Sequence, residues 1–391
     1  MSPGAYDFDR VIERRGSDSF KWGRYAGRDV LPLWVADMDF AAPPEVLAAL
    51  HSRVDHGVFG YGGPTGAVTE AVQDALARDY GWQIEPDWLV WLPGLVTGLH
   101  VACRGLTDPG DGVLTAVPVY GPFLSAPTLS ERHLVKLPLV CQHGRWTWDF
   151  HALEAALGAS RPRLLLLCHP HNPVGRAWER NELEQIADLC ERHGVLVCSD
   201  EIHADLQLEP GARHLPFACL DKEAARTSVT LMAPSKTYNI PGLSCAFAVI
   251  PDASIRRRFT RVMAGIVPHV NVLGLAACGA AYAHGAPWRA ALLAYLRGNR
   301  ELVAAAVAAM PGLTMIRPEA TYLAWIDARQ CSLENPAAAF EAAGVGLSDG
   351  REFGLPGYLR LNFGCPRTTL DSALARLQTV LLGPGASAPG S

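Results

Sequence analysis

The sequence has no uncharged apolar run of roughly 18 residues or more, so it offers no candidate membrane-spanning helix. Its opening, MSPGAYDFDRVIERRG, has no apolar stretch of the kind a secretory signal needs. Positive charge is not in excess. There are 34 Lys and Arg against 39 Asp and Glu, a formal net charge of −5. That balance gives no support for nucleic acid or an anionic membrane as a main partner. No G-x-G-x-x-G opens a helix after a first strand, and GVGLSDG (344–350) lacks that spacing and context, which argues against a nicotinamide dehydrogenase. The ten cysteines include no CxxC pair. Many sit in apolar runs such as VLVCSD and LLLLCHP, which reads as buried, reduced thiols of a cytoplasmic protein. CHPHNP (168–173) has metal-ligand residue types. However, Pro170 and Pro173 stiffen it and no second ligand group has metal-site spacing, so no metal is expected. There is no internal repeat.

What the chain has is length and apolar content. Its 391 residues, 49% hydrophobic and 19% charged, suit a globular protein of two domains. The middle alternates strand-like and helix-like segments. The strand candidates are DGVLTAVPVY (111–120), RLLLLCHP (163–170), GVLVCSD (194–200), TSVTLMAP (227–234) and LSCAFAVI (243–250). Most are continuous apolar runs, as expected of strands buried on both faces in a mostly parallel sheet covered by helices. ERNELEQIADLCERHG (179–194) has a helical pattern and ends on a glycine, as a C-cap would. The expected organisation is α/β: an N-terminal arm (1–44), a large domain (45–284), a smaller α+β domain (285–382) and a disordered tail (383–391).

In open α/β sheets, ligands bind beyond the carboxyl ends of the strands. At those ends this sequence places Tyr120, Asn172, Asp200 with His203, and Ser235 with Lys236. Each has a plain structural explanation taken alone. Asn172 in HNP suits a turn, Asp200 suits a helix N-cap, and Tyr120 suits a core edge. Taken together they suit a lysine that forms a Schiff base with an aldehyde cofactor. Lys236 would be the nucleophilic amine, and Asp200 the acidic partner of a pyridinium nitrogen. Asn172 would donate to a phenolate oxygen and Tyr120 would stack on the ring. Ser235 with backbone amides would hold a phosphate.

APSKTYNIPGL resembles the lysine segment of the fold-type I pyridoxal-phosphate enzymes, the aspartate aminotransferase superfamily. PHNPVGR and SDEIHADL resemble its other two signature segments. They occur in the family's order, 28 residues (200 − 172) and then 36 residues (236 − 200) apart. LPLWVADMDFAAPPEV, HGVFGYG, VPVYGPF and LRLNFGCPR are similar to the MalY/PatB-type cystathionine β-lyases and cysteine-S-conjugate β-lyases. The resemblance implies a seven-stranded-type sheet and pyridoxal 5′-phosphate as cofactor. It implies that the arm packs with the small domain. It also implies amides of Leu95 and Val96 at the phosphate, Arg360 on the substrate carboxylate, and Tyr322 near the substrate. Tyr61 would reach the phosphate of a neighbouring subunit, which implies a homodimer. Two positions depart from the aminotransferase pattern. His203 stands where a Tyr is common, and Ser244 where a phosphate-binding Arg is common. Both fit the lyase branch. Losing that arginine leaves the phosphate to amides and to the hydroxyls of Ser235, Thr237 and Tyr61.

The implied activity is α,β-elimination of cystathionine or a related cysteine S-conjugate to thiol, pyruvate and ammonia. Two alternatives stay open on the residues alone: an aminotransferase on the same fold, and a regulatory protein that uses the fold to bind a partner.

Overall fold

The computed structural model describes residues 6–382. The expected C-terminal tail lies outside the described residues. Seven strands form the larger sheet: β1 (Leu89–Leu92), β2 (Gly112–Val117), β3 (His133–Pro138), β4 (Leu164–Cys168), β5 (Leu196–Asp200), β6 (Ser228–Met232) and β7 (Ala246–Val249). Their order is β1-β7-β6-β5-β4-β2-β3. The five from β6 to β3 are mutually parallel. β7 runs antiparallel to both β6 and β1. The reason is local. Between β6 and β7 the chain makes only a short loop and one 3-10 turn (Pro241–Leu243), with no helix long enough for a parallel crossover.

The continuous apolar runs are explained by two buried faces. In β4, Leu164 and Leu166 join the core that contains Leu99 and Cys103 of helix α2 (Leu95–Leu106; α1 is Gly66–Tyr80). Leu165 and Leu167 join the opposite core, with Leu183 and Ile186 of helix α3 (Arg180–His193). α3 is bounded as its sequence suggests. Glu179 and Glu182 form a reciprocal capping box, and Gly194 ends the helix at φ 66°.

Two further helices, α4 (Val272–His284) and α5 (Ala286–Ala308), lead to a second sheet of β8 (Thr314–Met315), β9 (Leu323–Asp327), β10 (Ser348–Asp349) and β11 (Tyr358–Asn362). Its order is β8-β9-β11-β10, and every pair is antiparallel. This sheet shares one apolar core with α5 and with Phe8, Leu31 and Leu33 of the arm.

The arm is less irregular than its composition suggests. It contains a short helix (Phe20–Gly23) and a two-residue strand, Leu31–Pro32, paired in parallel with Val345–Gly346. Beyond it, Trp34–Phe40 is gripped from both sides. Asn239 accepts from Met38 N at 2.9 Å and donates to Met38 O and Phe40 O at 2.9 and 2.7 Å. Asn362 donates to the carbonyls of Val35 and Asp37, both at 2.7 Å. Below them Lys21, fully buried, binds Asp39 at 2.7 Å, and Arg14 bridges Asp37 (3.1 Å) and Asp39 (2.6 Å). Two cations against two carboxylates leave this buried cluster neutral, which is the condition for tolerating it.

Candidate active site

A cavity of about 250 Å³ opens at the carboxyl ends of β5 and β6, facing the start of α2. Four separate stretches build it: the arm, the turn into α2, the strand ends and β11.

The turn into α2 presents bare backbone. Gly94 is the N-cap and has no side chain to offer. The first main-chain bond of the helix is Gly98 N to Gly94 O, at 3.2 Å. The amides of Leu95, Val96 and Thr97 therefore have no partner within the helix. Gly94 to Thr97 all line the cavity, and a Cβ on Gly94 would meet no atom within 4 Å. It would simply occupy cavity space. Free amides and the positive end of the helix dipole make this end of the cavity a seat for an anion such as a phosphate.

Asp200 lies at the end of β5, between Cys168 of β4 and Leu231 of β6. It is buried, and the one hydrogen bond to its carboxylate among the described residues comes from Ile202 N at 3.1 Å. Burial raises its pKa to about 7, with neighbouring Glu201 adding to the rise and Lys236 opposing it. A carboxylate in this state is short of positive charge. Lys236 is shifted the other way. Burial lowers its pKa to about 8; Asp37 and Asp200 oppose the fall and Arg360 adds to it. Its Nζ donates to Ala36 O at 2.5 Å. A useful fraction of the amine is therefore neutral, and nucleophilic, near physiological pH.

Arg360 comes from β11. Its Nη1 donates to Asn172 Oδ1 at 3.1 Å and its Nη2 to Trp34 O at 2.7 Å. Its Nε is buried with no partner among the described residues. The guanidinium lies over Phe353, 4.6 Å from the ring centre, and burial lowers its pKa to about 10. An unpaired buried cation with a free donor, on the wall of a cavity, is suited to a carboxylate. Because Asn172 Oδ1 is taken by Arg360, the amide nitrogen is the end of Asn172 left to donate. His203 also lines the cavity. Burial lowers its pKa to about 3, so it is neutral, and its Nδ1 has no partner among the described residues. Ser235 lines the cavity too, with no hydrogen bond to its hydroxyl among the described residues. Tyr120 precedes the helix 121–129, and its amide donates to Asn172 O at 3.1 Å. Burial raises its phenol pKa.

The cavity thus brings together Leu95, Val96, Tyr120, Asn172, Asp200, His203, Ser235, Lys236 and Arg360. Three expected residues stand apart. Tyr322 is buried outside the lining, and its hydroxyl donates to Ala36 O at 3.0 Å, the carbonyl that Lys236 also uses. Thr237 turns away and donates to Asp205 at 3.3 Å. Tyr61 is fully exposed. Sequence reasoning missed the arm residues Val35 and Ala36 on the cavity wall, along with Phe123, Cys168 and Ile202. These are apolar or plain residues, and only the fold brings them here.

A seven-stranded sheet carrying a lysine, a buried carboxylate and an anion-ready helix end at one edge defines an aspartate aminotransferase-like α/β enzyme. The chain belongs to the class I and II aminotransferase family, whose model matches residues 28–377. It is 39% identical to cystathionine beta-lyase PatB of Bacillus subtilis, covering 96% of this chain and all of that protein. Among solved structures, OvoB superposes with a TM-score of 0.94 at 47% identity, covering 97% of this chain and all of that one. Cystalysin from Treponema denticola, solved with pyridoxal 5′-phosphate, gives a TM-score of 0.91 at 34% identity, covering 96% and 99%.

The raised pKa of Asp200 has a consequence for stability. A carboxyl group whose folded pKa lies above the unfolded value of 3.8 binds its proton more tightly in the folded state. Its favourable contribution is present below pH 3.8 and is lost as pH rises to about 7. In the ligand-free protein, Asp200→Asn is therefore expected to be more stable than wild type at pH 8, by about 2 kcal/mol or more. The difference should shrink towards zero near pH 4. Urea unfolding at the two pH values measures it, and equal stabilities at pH 8 would contradict the electrostatic reading.

Proposed function

We propose that the protein is a pyridoxal-phosphate-dependent carbon–sulfur β-lyase. In this reading it converts cystathionine or a related cysteine S-conjugate to a thiol, pyruvate and ammonia. The observation that carries the reading is one cavity that holds Lys236, Asp200 and an Arg360 Nε with no partner among the described residues, in a chain similar over 96% of its length to a cystathionine β-lyase.

The residues present fit the cofactor. The amides of Leu95 to Thr97 and the Ser235 hydroxyl would hold its phosphate, Asp200 its ring nitrogen, and Asn172 and His203 its ring oxygen. Tyr120 would cover one ring face. Bound there, pyridoxal phosphate supplies a sink for the electron pair left when a Cα proton departs. Arg360 receives the substrate α-carboxylate and so fixes which Cα bond faces Lys236. The Lys236 amine, made less basic by burial, takes the Cα proton. The C–S bond electrons leave with sulfur as a thiolate. The remaining 2-aminoacrylate takes up water to give pyruvate and ammonia. Tyr322 supports this from behind by sharing the Ala36 carbonyl with Lys236.

The site is further read as shared across a homodimer. Tyr61 is fully exposed beside Val58 and Phe59, which are also exposed. An apolar, projecting segment of this kind is suited to burial against a second copy. A cytoplasmic setting fits the ten free cysteines, nine of which are buried or only partly exposed.

Two measurements test the proposal. With L-cystathionine and no keto acid, a thiol and pyruvate are expected to appear together; with L-cystine, a persulfide and pyruvate. Turnover only in the presence of a keto acid, with a new amino acid as product, would establish an aminotransferase instead. For the dimer, Lys236→Ala and Tyr61→Phe subunits are each expected to be severely impaired. Mixed dimers should regain activity, because one hybrid site has both wild-type groups. No recovery in verified mixed dimers would refute the shared site.

A further inference from the structure

Lys236 is followed by Thr237 and Tyr238, which the proposed chemistry does not use. Both are buried, and both lead to one place: the junction of α4 and α5. Thr237 Oγ1 donates to Asp205 Oδ2 at 3.3 Å. The other oxygen of Asp205 accepts from Tyr80 OH at 2.6 Å and from Arg289 Nη1 at 2.5 Å. Arg289, in the first turns of α5, also spans both oxygens of Asp79 in α1, at 2.9 Å each. Arg289 and Asp79 are only 16% and 15% exposed, so this is a partly desolvated ionic knot with geometric specificity, beyond a surface pair.

Tyr238 fills the other side of the junction. Its ring centre lies 6.4 Å from Tyr282 of α4 and 6.2 Å from Trp288 of α5. Gly285 is at once the C-cap of α4 and the N-cap of α5. A Cβ on Gly285 would come within 2.4 Å of Tyr238 Cε1 and 2.5 Å of Ala281 O. Only glycine permits the helix junction to close on that ring.

We infer that Arg289 and Gly285 are positioning residues for Lys236: they hold the Thr237–Tyr238 segment and so fix where the amine stands in the cavity. Neither touches the cavity. The inference rests on the reading of Lys236 as the cofactor-bearing lysine. The junction leads directly into the helix that packs on the second sheet, so a movement of that layer reaches Lys236 by two residues of backbone.

The test uses the cofactor-loaded protein, with three readouts: the pH midpoint of its visible absorbance, the split between kcat and KM, and the thermal midpoint. In the loaded protein the midpoint reports protonation of the Lys236 nitrogen where it is bonded to the cofactor; loosening the segment admits water, which favours the charged form of that buried nitrogen, so the midpoint is expected to rise. Arg289→Gln and Gly285→Ala are expected to raise it by about half a unit and to lower kcat about tenfold, with KM nearly unchanged. Arg289→Lys should recover part of both effects. The charges acting on Lys236, namely Asp37, Asp200 and Arg360, are untouched by these changes. A lower thermal midpoint with wild-type absorbance midpoint and kcat would make the knot structural only and overturn the inference. If Arg289→Gln fails to fold, Thr237→Val cuts the same link with little change of shape, and an unchanged midpoint there overturns it equally. Borohydride reduction of the wild type separates the two levels. Label on a lysine other than Lys236 defeats the reading of the site and the inference together. Label on Lys236 with unmoved midpoints defeats the inference alone.

Discussion

A carboxylate at the end of a central strand, short of positive charge, is the constraint around which the rest of the molecule is arranged. Asp200 cannot leave its place. Its backbone is locked by the β5 ladder on both sides, with His169 N bonded to its carbonyl at 2.9 Å and Glu201 N to Leu231 O at 2.8 Å. With one amide donor it stays near half protonated at neutral pH. A cationic ring nitrogen would settle that deficit, and the site would then exchange stability of the empty protein for affinity and reactivity of the loaded one. Lys236 is the complementary case, an amine made less basic by the same enclosure. The two shifts have one main cause, enclosure of both groups in the same cavity.

The cavity is completed by pieces far apart in sequence, and the arm is what joins them. Ala36 O binds both Lys236 and Tyr322, and Trp34 O binds Arg360. Three elements therefore meet on a few consecutive carbonyls. The other carbonyls of the segment are held in turn, Val35 O and Asp37 O by Asn362 of β11, and Met38 O and Phe40 O by Asn239 of the lysine loop. The charge cluster of Arg14, Lys21, Asp37 and Asp39 fixes the arm from beneath. A displaced arm would disturb Lys236 and Arg360 together, so positioning here is a collective property.

Much of this was legible in the sequence, and the reasons are physical. Strands buried on two faces produce unbroken apolar runs, so β4, β5 and β6 could be found with the polar residue that ends each. α3 announced itself through its terminal glycine and helical period. The reversed direction of β7 could not be seen, because an apolar run looks the same in either direction and only the short connection decides. Val35 and Ala36 carry no chemistry in their side chains; their role lies in backbone carbonyls, which every residue has. Thr237 and Tyr322 sit beside chemically informative residues, yet their hydroxyls satisfy buried partners instead. That choice depends on packing and leaves no trace in local pattern.

The role proposed for Asp200 is to meet the ring nitrogen of the cofactor with a full negative charge. The most direct measurement is the nitrogen-15 chemical shift of the ring nitrogen in wild-type protein loaded with labelled pyridoxal 5′-phosphate, at pH 8. The shift of a protonated pyridinium is expected there, and that of a neutral pyridine in Asp200→Asn. A neutral ring nitrogen in the wild type would contradict it.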